Sequence, residues 1–345
     1  IFNKNIRTEI LSSKSEYRNK KIITDKLASK EIDIIFGTHA IFQKKIIFKK
    51  LGLIIIDEQH KFGVNQRKKL SDKGGENCDV LLMSATPIPR TLTMTIYGDM
   101  DLSIIKEKPK SRKEVITYSK LESKTDEVLK FITKEIDSGN QVFWVCPLIE
   151  ESKKLDHVSA VKKYHFLNKK YPNKVALLHG KTDINDKEVI LEKFLKKEFK
   201  ILVSTTIIEV GIDFPNANVI IIENANKFGL SQLHQLRGRV GRGKKQATCI
   251  LMFKSSLTEN AKKRLNILKN STDGFDISEE DMKLRGFGDI LGFKQSGMKM
   301  FKLADPIQNK DLFEVAEREI KMMETNNHDI SKYKTLMKLY DQADI

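Results

Sequence analysis

At 345 residues, with 40% hydrophobic and 31% charged side chains, the chain exceeds one ordinary core and suits two domains plus an extension. No run of about 18 apolar residues occurs, which excludes a membrane-spanning helix of the usual length. The formal net charge of +16 favours an anionic partner, nucleic acid being the commonest, although so many Lys, Ile and Asn also follow from AT-rich coding. Cys78, Cys146 and Cys249 have no metal-ligand spacing and read as small hydrophobes in a reducing compartment. The sequence starts at Ile1 with no charged-then-apolar leader, and is expected to be a fragment or a processed chain.

In chain order, near-continuous apolar runs at 32–36, 51–56 and 80–83 predict parallel strands covered by helices on both faces. The second run continues into Asp57-Glu58-Gln59-His60. A hydrophobic strand ending in two carboxylates delivers them to the sheet's carboxyl edge, where open α/β folds bind ligands. Asp57 suits Mg²⁺ held through its water shell. Glu58 is placed to orient or deprotonate a water attacking a phosphoryl group, and His60 could couple that site to the rest of the molecule. Apolar strands with acidic turns are common, so the pair gains weight from Gln59 and His60 behind it. Ser84-Ala85-Thr86 closes the third run before Pro87-Ile88-Pro89-Arg90 breaks the chain. Its hydroxyls can reach the acidic strand or simply cap a helix.

The charged stretch 106–114, with Pro109, reads as an interdomain linker. The α/β rhythm then resumes at 141–145, 175–178, 201–203, 219–222 and 248–252. His179-Gly180-Lys181-Thr182 is not a phosphate loop, because Val175 stands where its first glycine belongs; it reads as a strand end and turn. The 204–213 turn combines hydroxyls with Gly211 and Asp213, suited to a nucleic-acid phosphate and a nucleotide ribose. Gln235-Leu236-Arg237-Gly238-Arg239-Val240-Gly241-Arg242 carries arginines spaced by glycines. That composition suits γ-phosphate binding and an arginine finger, with a basic nucleic-acid stripe as the alternative. Residues 274–297 are rich in Gly and charge, yet Ile277, Met282, Leu284, Ile290 and Leu291 argue against disorder. Residues 311–323 predict an amphipathic helix, and from 325 a polar tail with one short helix follows.

Asp-Glu-Gln-His, Ser-Ala-Thr and Gln-x-x-Gly-Arg-x-Gly-Arg, in this order, resemble motifs II, III and VI of superfamily 2 helicases. Gly37-Thr38-His39 resembles the DNA-contacting motif Ic, 144–151 motif IV, and 203–213 motif V. The sequences around Asp57–Val64 and Ala85–Leu92 resemble the bacterial group formed by RecG and the transcription-repair coupling factor, and 274–297 resembles that group's translocation motif. Phe301-Lys302-Leu303-Ala304-Asp305 and the 145–152 segment are similar to RecG rather than to the coupling factor.

The resemblance implies an α/β fold of two RecA-like parallel-sheet lobes, the first incomplete, and a small, mostly helical C-terminal extension. It places them at 1–107 and 115–270, joined by a linker at 108–114, with the translocation motif and helical region at 271–345. Two such lobes close on ATP and Mg²⁺. Asp57, Glu58, Gln59, His60, Gln235, Arg239 and Arg242 become the catalytic set, with Asp57 toward the metal. Gly211, Asp213, Arg239 and Arg242 become nucleotide-binding residues. Gly37, Thr38, His39, Ser84, Ala85, Thr86, Thr205, Thr206, Arg285, Gly286 and Gln295 are assigned to DNA contact and coupling. The implied function is ATP-driven remodelling of branched DNA (Holliday junctions and stalled forks) in recombination and repair. The implied setting is the bacterial cytoplasm, with a monomer meeting single-strand-binding protein at forks.

The sequence contains no G-x-x-x-x-G-K-[ST], so the chain by itself is expected to hydrolyse ATP negligibly, and the first lobe's core is expected to be open. The alternatives are a coupling-factor-like duplex translocase and a non-catalytic DNA-binding paralogue. Intact Glu58, Arg239 and Arg242 count against the latter. Asp-Glu-Gln-His in place of Asp-Glu-Ala-Asp argues against a DEAD-box RNA helicase.

Overall fold

The computed structural model describes residues 5–12, 17–58, 73–75, 77–84, 101, 103–105, 107, 109, 113–147, 153–205, 213–285 and 309–326. The chain divides into two units, Ile1–Ala85 and Thr86–Ile345.

The first unit contains β1 (Thr8–Leu11), α1 (Tyr17–Ala28), β2 (Ile34–Gly37), β3 (Leu53–Ile56) and β4 (Asp79–Leu82). Its strands pair in parallel, β1 with β2 and β3 with β4. Leu11, Ile23, Leu27, Ala40 and Ile46 form one apolar cluster, while Ile54 and Ile56 form a second with Leu51, Cys78, Val80 and Leu82. Ile41 packs against both. The strand period of two shows in β3: Ile54 and Ile56 are buried, whereas Leu53 and Ile55 are each 55% exposed. The expectation of a run covered on both faces is thus met on one face of β3. Below β1, Arg7 grips Asp33 with a fork, Nε to Oδ2 at 3.0 Å and Nη2 to Oδ1 at 3.1 Å. Those side-chain bonds and the Arg7 amide hold the Asp33 carboxyl down at about 2.

The second unit is built on a six-stranded sheet in the order β5-β10-β9-β6-β8-β7. These strands are β5 (Val115–Leu121), β6 (Gln141–Val145), β7 (Val175–Leu178), β8 (Ile201–Ser204), β9 (Ala217–Ile222) and β10 (Ala247–Phe253). All neighbours run parallel. Every residue of β6, β8 and β9 is buried, as central strands of a sheet covered on both faces must be. Side chains alternate between two cores. Val142 and Trp144 join α2 (Thr125–Asp137) and α3 (Lys153–Lys170) on one face. Phe143 and Val145 join α4 (Ile184–Leu195), α5 (Leu230–Arg237), α6 (Glu259–Asn270) and α7 (Gly274–Arg285) on the other.

The helices follow from their local signals. Asp183 and Thr258 cap α4 and α6 through side-chain oxygens that accept the Asn185 and Ala261 amides. Helix α8 (Lys310–Thr325) covers the amphipathic segment expected at 311–323, and its Leu312, Val315, Ile320 and Met322 are all exposed. Strands β1 and β5 were not expected. The VITYSKL of β5 interrupts its apolar residues with Thr117, Ser119 and Lys120 and lies at the sheet's edge, so it lacks a continuous apolar run. Among the described residues no helix is long and apolar enough to cross a membrane.

Candidate functional site

In the first unit the acids sit where the apolar strand delivers them. Asp57 and Glu58 follow β3 directly, Asp57 exposed and Glu58 half-buried. The Glu58 amide donates to Asp57 Oδ1 at 2.8 Å, and Glu58 takes φ of 50°. A side chain in the left-handed region is a strained choice, and it turns the chain sharply as the strand ends. Beside them, β4 is in register through Ile56 and Leu82, the Met83 amide donates to the Ile56 carbonyl at 2.8 Å, and Ser84 follows. Gly37, Thr38 and His39 lie exposed at the carboxyl end of β2. A Cβ on Gly37 would collide with the Ile41 side chain and the Leu11 carbonyl, so this glycine has a packing reason whatever it contacts. Gln59, His60, Ala85 and Thr86 lie outside the described residues.

These donors fit Mg²⁺ as hard oxygen ligands. Among the described residues no group of three His, Cys, Asp or Glu could hold a metal directly. A single carboxylate such as Asp57 suffices for Mg²⁺ when phosphates and water complete its shell.

In the second unit the arginine segment is split by helix geometry. Leu230, Leu233 and Arg237 fall on one face of α5 at spacings of three and four. All three are buried, Arg237 at 4% exposure. Its Nη1 donates to the carbonyls of Leu268 at 2.7 Å and Ser271 at 2.8 Å, and Nη2 meets His234 Nδ1 at 3.1 Å. Burial draws its pKa downward, partly offset by Cys249 and Glu114. Beyond α5, Gly241 takes φ of 74°, where a Cβ would come 3.0 Å from Ala247 Cβ. That turn sends Arg242 outward. Arg242 Nη1 lies 3.6 Å from Asp213 Oδ1, and Nε donates to the Gly238 carbonyl at 3.4 Å. Asp213 and Arg242, both assigned to nucleotide from the sequence, are thus brought together. Gln235 and Arg239 are half-buried on the same segment.

Thr205 is only 2% exposed, and its Oγ1 and the neighbouring Ser204 Oγ are buried without a hydrogen-bond partner. They end β8, beside Cys146 after β6 and Glu223 after β9, where the Cys146 amide donates to Ser204 O and the Glu223 amide to Val145 O. Lys163 closes this edge with a 2.6 Å ion pair to Glu223. Thr206, Gly211, Gly286 and Gln295 lie outside the described residues, as does the Arg285 side chain. The His179–Thr182 segment is a turn after β7, with the His179 amide donating to Thr182 Oγ1 at 3.1 Å. The cysteines behave as small hydrophobes. Burial raises the Cys146 thiol well above its usual range and pushes Cys249 up to about 12.

Sequence reasoning missed three residues. Arg237 was grouped with Arg239 and Arg242, although its helical spacing from Leu230 and Leu233 signals burial. Ser231 and Asp281 were not singled out; Ser231 Oγ donates to Asp281 Oδ2 at 2.6 Å, a pairing between helices that carries no local signal.

Three families match the chain: DEAD/DEAH box helicase over residues 2–95, helicase conserved C-terminal domain over 123–244, and "ATP-dependent DNA helicase RecG, domain 3, C-terminal" over 271–341. The protein named ATP-dependent DNA helicase RecG in Bacillus subtilis is 46% identical over 316 residues, 91% of this chain and 46% of that protein. The protein of the same name in Aquifex aeolicus is 47% identical over 341 residues, 97% of this chain and 43% of that protein. The chain therefore spans less than half the length of these relatives. Among solved structures, RecG bound to a three-way DNA junction aligns with a TM-score of 0.66 and 43% identity, covering 90% of this chain and 40% of that one. The Mycobacterium smegmatis helicase Lhr, bound to ssDNA and AMP-PNP, aligns at a TM-score of 0.54 and 14% identity over 76% of this chain and 37% of that one, a likeness of fold alone.

Proposed function

We propose that this chain, which belongs to the RecG-type ATP-dependent DNA helicases, works as the motor portion of an enzyme that uses ATP to remodel branched DNA. The observation that carries this reading is the attachment of α7, inside the RecG domain 3 match at 271–341, to the helix that precedes Arg239 and Arg242. The segment assigned to phosphate is thus joined to the region that matches the RecG family. The proposed extents are 1–107 and 115–270 for the two RecA-like lobes, 108–114 for the linker and 271–345 for the region that moves DNA.

Mg²⁺ would neutralise charge on the β- and γ-phosphates of ATP. Asp57 would hold that ion through water. Glu58 orients the attacking water and takes its proton, with Gln59 and His60 assigned beside it. Arg242, presented to solvent by the Gly241 turn and steadied by Asp213, stabilises charge on the transferring phosphoryl group together with Arg239. Gln235 and Gly211 are assigned to the same nucleotide. Asp213 is also assigned to a ribose hydroxyl. Gly37, Thr38, His39, Ser84, Ala85, Thr86 and Thr206 are assigned to DNA contact and coupling, and Arg285, Gly286 and Gln295 to the moving element. Thr205, 2% exposed at the end of β8, is assigned to this set as a buried member. The surplus of basic residues supplies the phosphate attraction common to DNA-tracking proteins. A monomer in the bacterial cytoplasm, meeting single-strand-binding protein at forks, completes the proposal.

The test is ATP hydrolysis by a full-length enzyme carrying this chain, with a three-way junction, a linear duplex or no DNA. Junction DNA should stimulate turnover above linear duplex. Equal turnover in all three conditions would remove DNA from the account.

A further inference from the structure

Helix α3 has a buried side and a stripe turned to solvent. Ala160 and Leu167, with Tyr171 just beyond the helix, are buried in the core that holds Trp144. Lys162, His165, Phe166, Lys169 and Lys170 follow one another at helical spacings on the other side, and all five are exposed.

Two properties set this stripe apart. The first is charge. The stretch 159–174 contains five lysines and no Asp or Glu. Other surface helices balance a lysine one turn away, as Lys262 with Glu259 on α6 and Lys283 with Glu280 on α7. Among the described residues, Lys163 is the one lysine of this stretch with an ion-pair partner. Lys162, Lys169 and Lys170 therefore form an uncompensated positive row. That is the clustering expected for an anionic partner, as opposed to lysines scattered over a surface.

The second is Phe166, a ring 48% exposed in the middle of that row. Lys163 Nζ lies 5.2 Å from its centroid and 5.0 Å from that of Trp144. The same ammonium is held by Glu223 Oε1 at 2.6 Å. Trp144 and Glu223 are buried, at 0% and 8% exposure. Lys163 thus spends its charge inside the fold and braces the exposed ring against a fixed one.

Lys162 and Lys169 stand four residues before the ring and three after it, about 10 Å apart along the helix axis. A ring between two cations suits an unpaired nucleotide, whose base stacks on the ring while its flanking phosphates meet the lysines. A duplex keeps its base faces in its own stack and would leave the ring idle. An acidic peptide would satisfy the lysines but brings no base to stack. Separating the strands of branched DNA supplies unpaired bases.

We propose that this stripe of α3 binds single-stranded DNA, with Phe166 as the stacking platform and Lys162 and Lys169 on neighbouring phosphates. This rests on the functional reading above and adds a strand contact outside the residues assigned to DNA there.

The test uses a full-length enzyme carrying this chain. Fluorescence anisotropy without ATP measures its binding to a labelled oligothymidylate, a duplex of equal length and a polyglutamate peptide, each over a range of salt. The variants are Phe166→Leu, which keeps apolar bulk without the ring, Phe166→Trp, which keeps a ring, and the double substitution Lys162→Gln with Lys169→Gln. Phe166→Leu should weaken oligothymidylate binding about tenfold, with duplex binding within about twofold and the melting temperature and salt slope unchanged. Phe166→Trp should bind at least as tightly as the unsubstituted enzyme. The double substitution should lower the single-strand salt slope by about 1.4, the share of two phosphates.

Oligothymidylate binding unchanged in Phe166→Leu would overturn the inference. So would equal losses on single strand and duplex, which would make the stripe a general attractor of phosphate. Polyglutamate binding lost in these variants, with oligothymidylate binding intact, would assign the stripe to an acidic protein instead. An unsubstituted enzyme without DNA-stimulated hydrolysis brings down the functional reading and this inference with it. Stimulated hydrolysis with variants that bind oligothymidylate normally brings down this inference alone.

Discussion

The Arg237 guanidinium donates to the Leu268 carbonyl at 2.7 Å from a position only 4% exposed. Five residues later Arg242 faces outward and pairs with Asp213 at 3.6 Å. Two arginines of one short segment thus differ in setting: the first fastens the segment to the fold, and the second stays at the surface.

Replacing Arg237 with Ala should therefore be a stability mutation. It leaves the Leu268 and Ser271 carbonyls without their donor in a buried place, at a cost of about 2–4 kcal/mol. Urea denaturation of the chain is the measurement. A loss within about 0.5 kcal/mol, the range of an ordinary surface change, would show that the two carbonyls find other donors at no cost.

Arg242→Ala should do the opposite. With its side chain 32% exposed and its ion-pair partner 59% exposed, the pair adds little to stability. In the full-length enzyme kcat for ATP should fall by about three orders of magnitude, and Arg242→Lys should not restore it, because a point charge cannot replace a planar fork. A melting temperature that falls while turnover persists would reverse the assignment.

Much of the second unit was legible because its central strands are apolar on both faces. Strand β6 occupies the expected residues because Val142–Val145 is a continuous apolar run inside the sheet, and β7, although an edge strand, is apolar throughout Val175–Leu178. The edge strand β5 was not legible: Ile116, Tyr118 and Leu121 are exposed, and Thr117, Ser119 and Lys120 break the apolar run. The acids at 57 and 58 were legible because they end a hydrophobic strand. Arg237 was legible only in part, since composition groups it with Arg239 and Arg242 and only the 3.6-residue period sets it inward. The Ser231–Asp281 bond joins positions fifty residues apart, and no local pattern announces such a pairing.

The left-handed backbone at Glu58 gives a comparison that separates strain from side-chain loss. Glu58→Ala and Glu58→Gly remove the same carboxylate, but only glycine adopts φ of 50° without penalty. The Gly variant should be more stable than the Ala variant by about 1 kcal/mol, and both should lose ATP hydrolysis in the full-length enzyme. Equal stabilities would show that the turn relaxes out of the left-handed region.

Asp33 predicts a pH dependence. Its carboxyl is held at about 2 by Arg7, below the roughly 3.9 of an unfolded chain. A depressed folded value means that the contribution to stability is fully present above the unfolded value and is lost as pH falls from about 4 toward about 2. NMR titration of the Asp33 carboxyl should give a midpoint near 2 in the wild type and a value near 4 in Arg7→Ala. An Asp33 that titrates near 4 with Arg7 intact would show that the fork does not persist in solution.

The roles proposed for Asp57, Glu58, Arg239 and Arg242 make DNA movement depend on ATP hydrolysis. Strand separation of a labelled three-way junction tests it most directly, using the full-length enzyme carrying this chain with ATP, with a non-hydrolysable analogue, and with ATP in the Glu58→Gln variant. The account predicts separation with ATP in the unsubstituted enzyme and none in the other two arms, although all three bind the junction. Separation that persists with the analogue, or in Glu58→Gln, would contradict it.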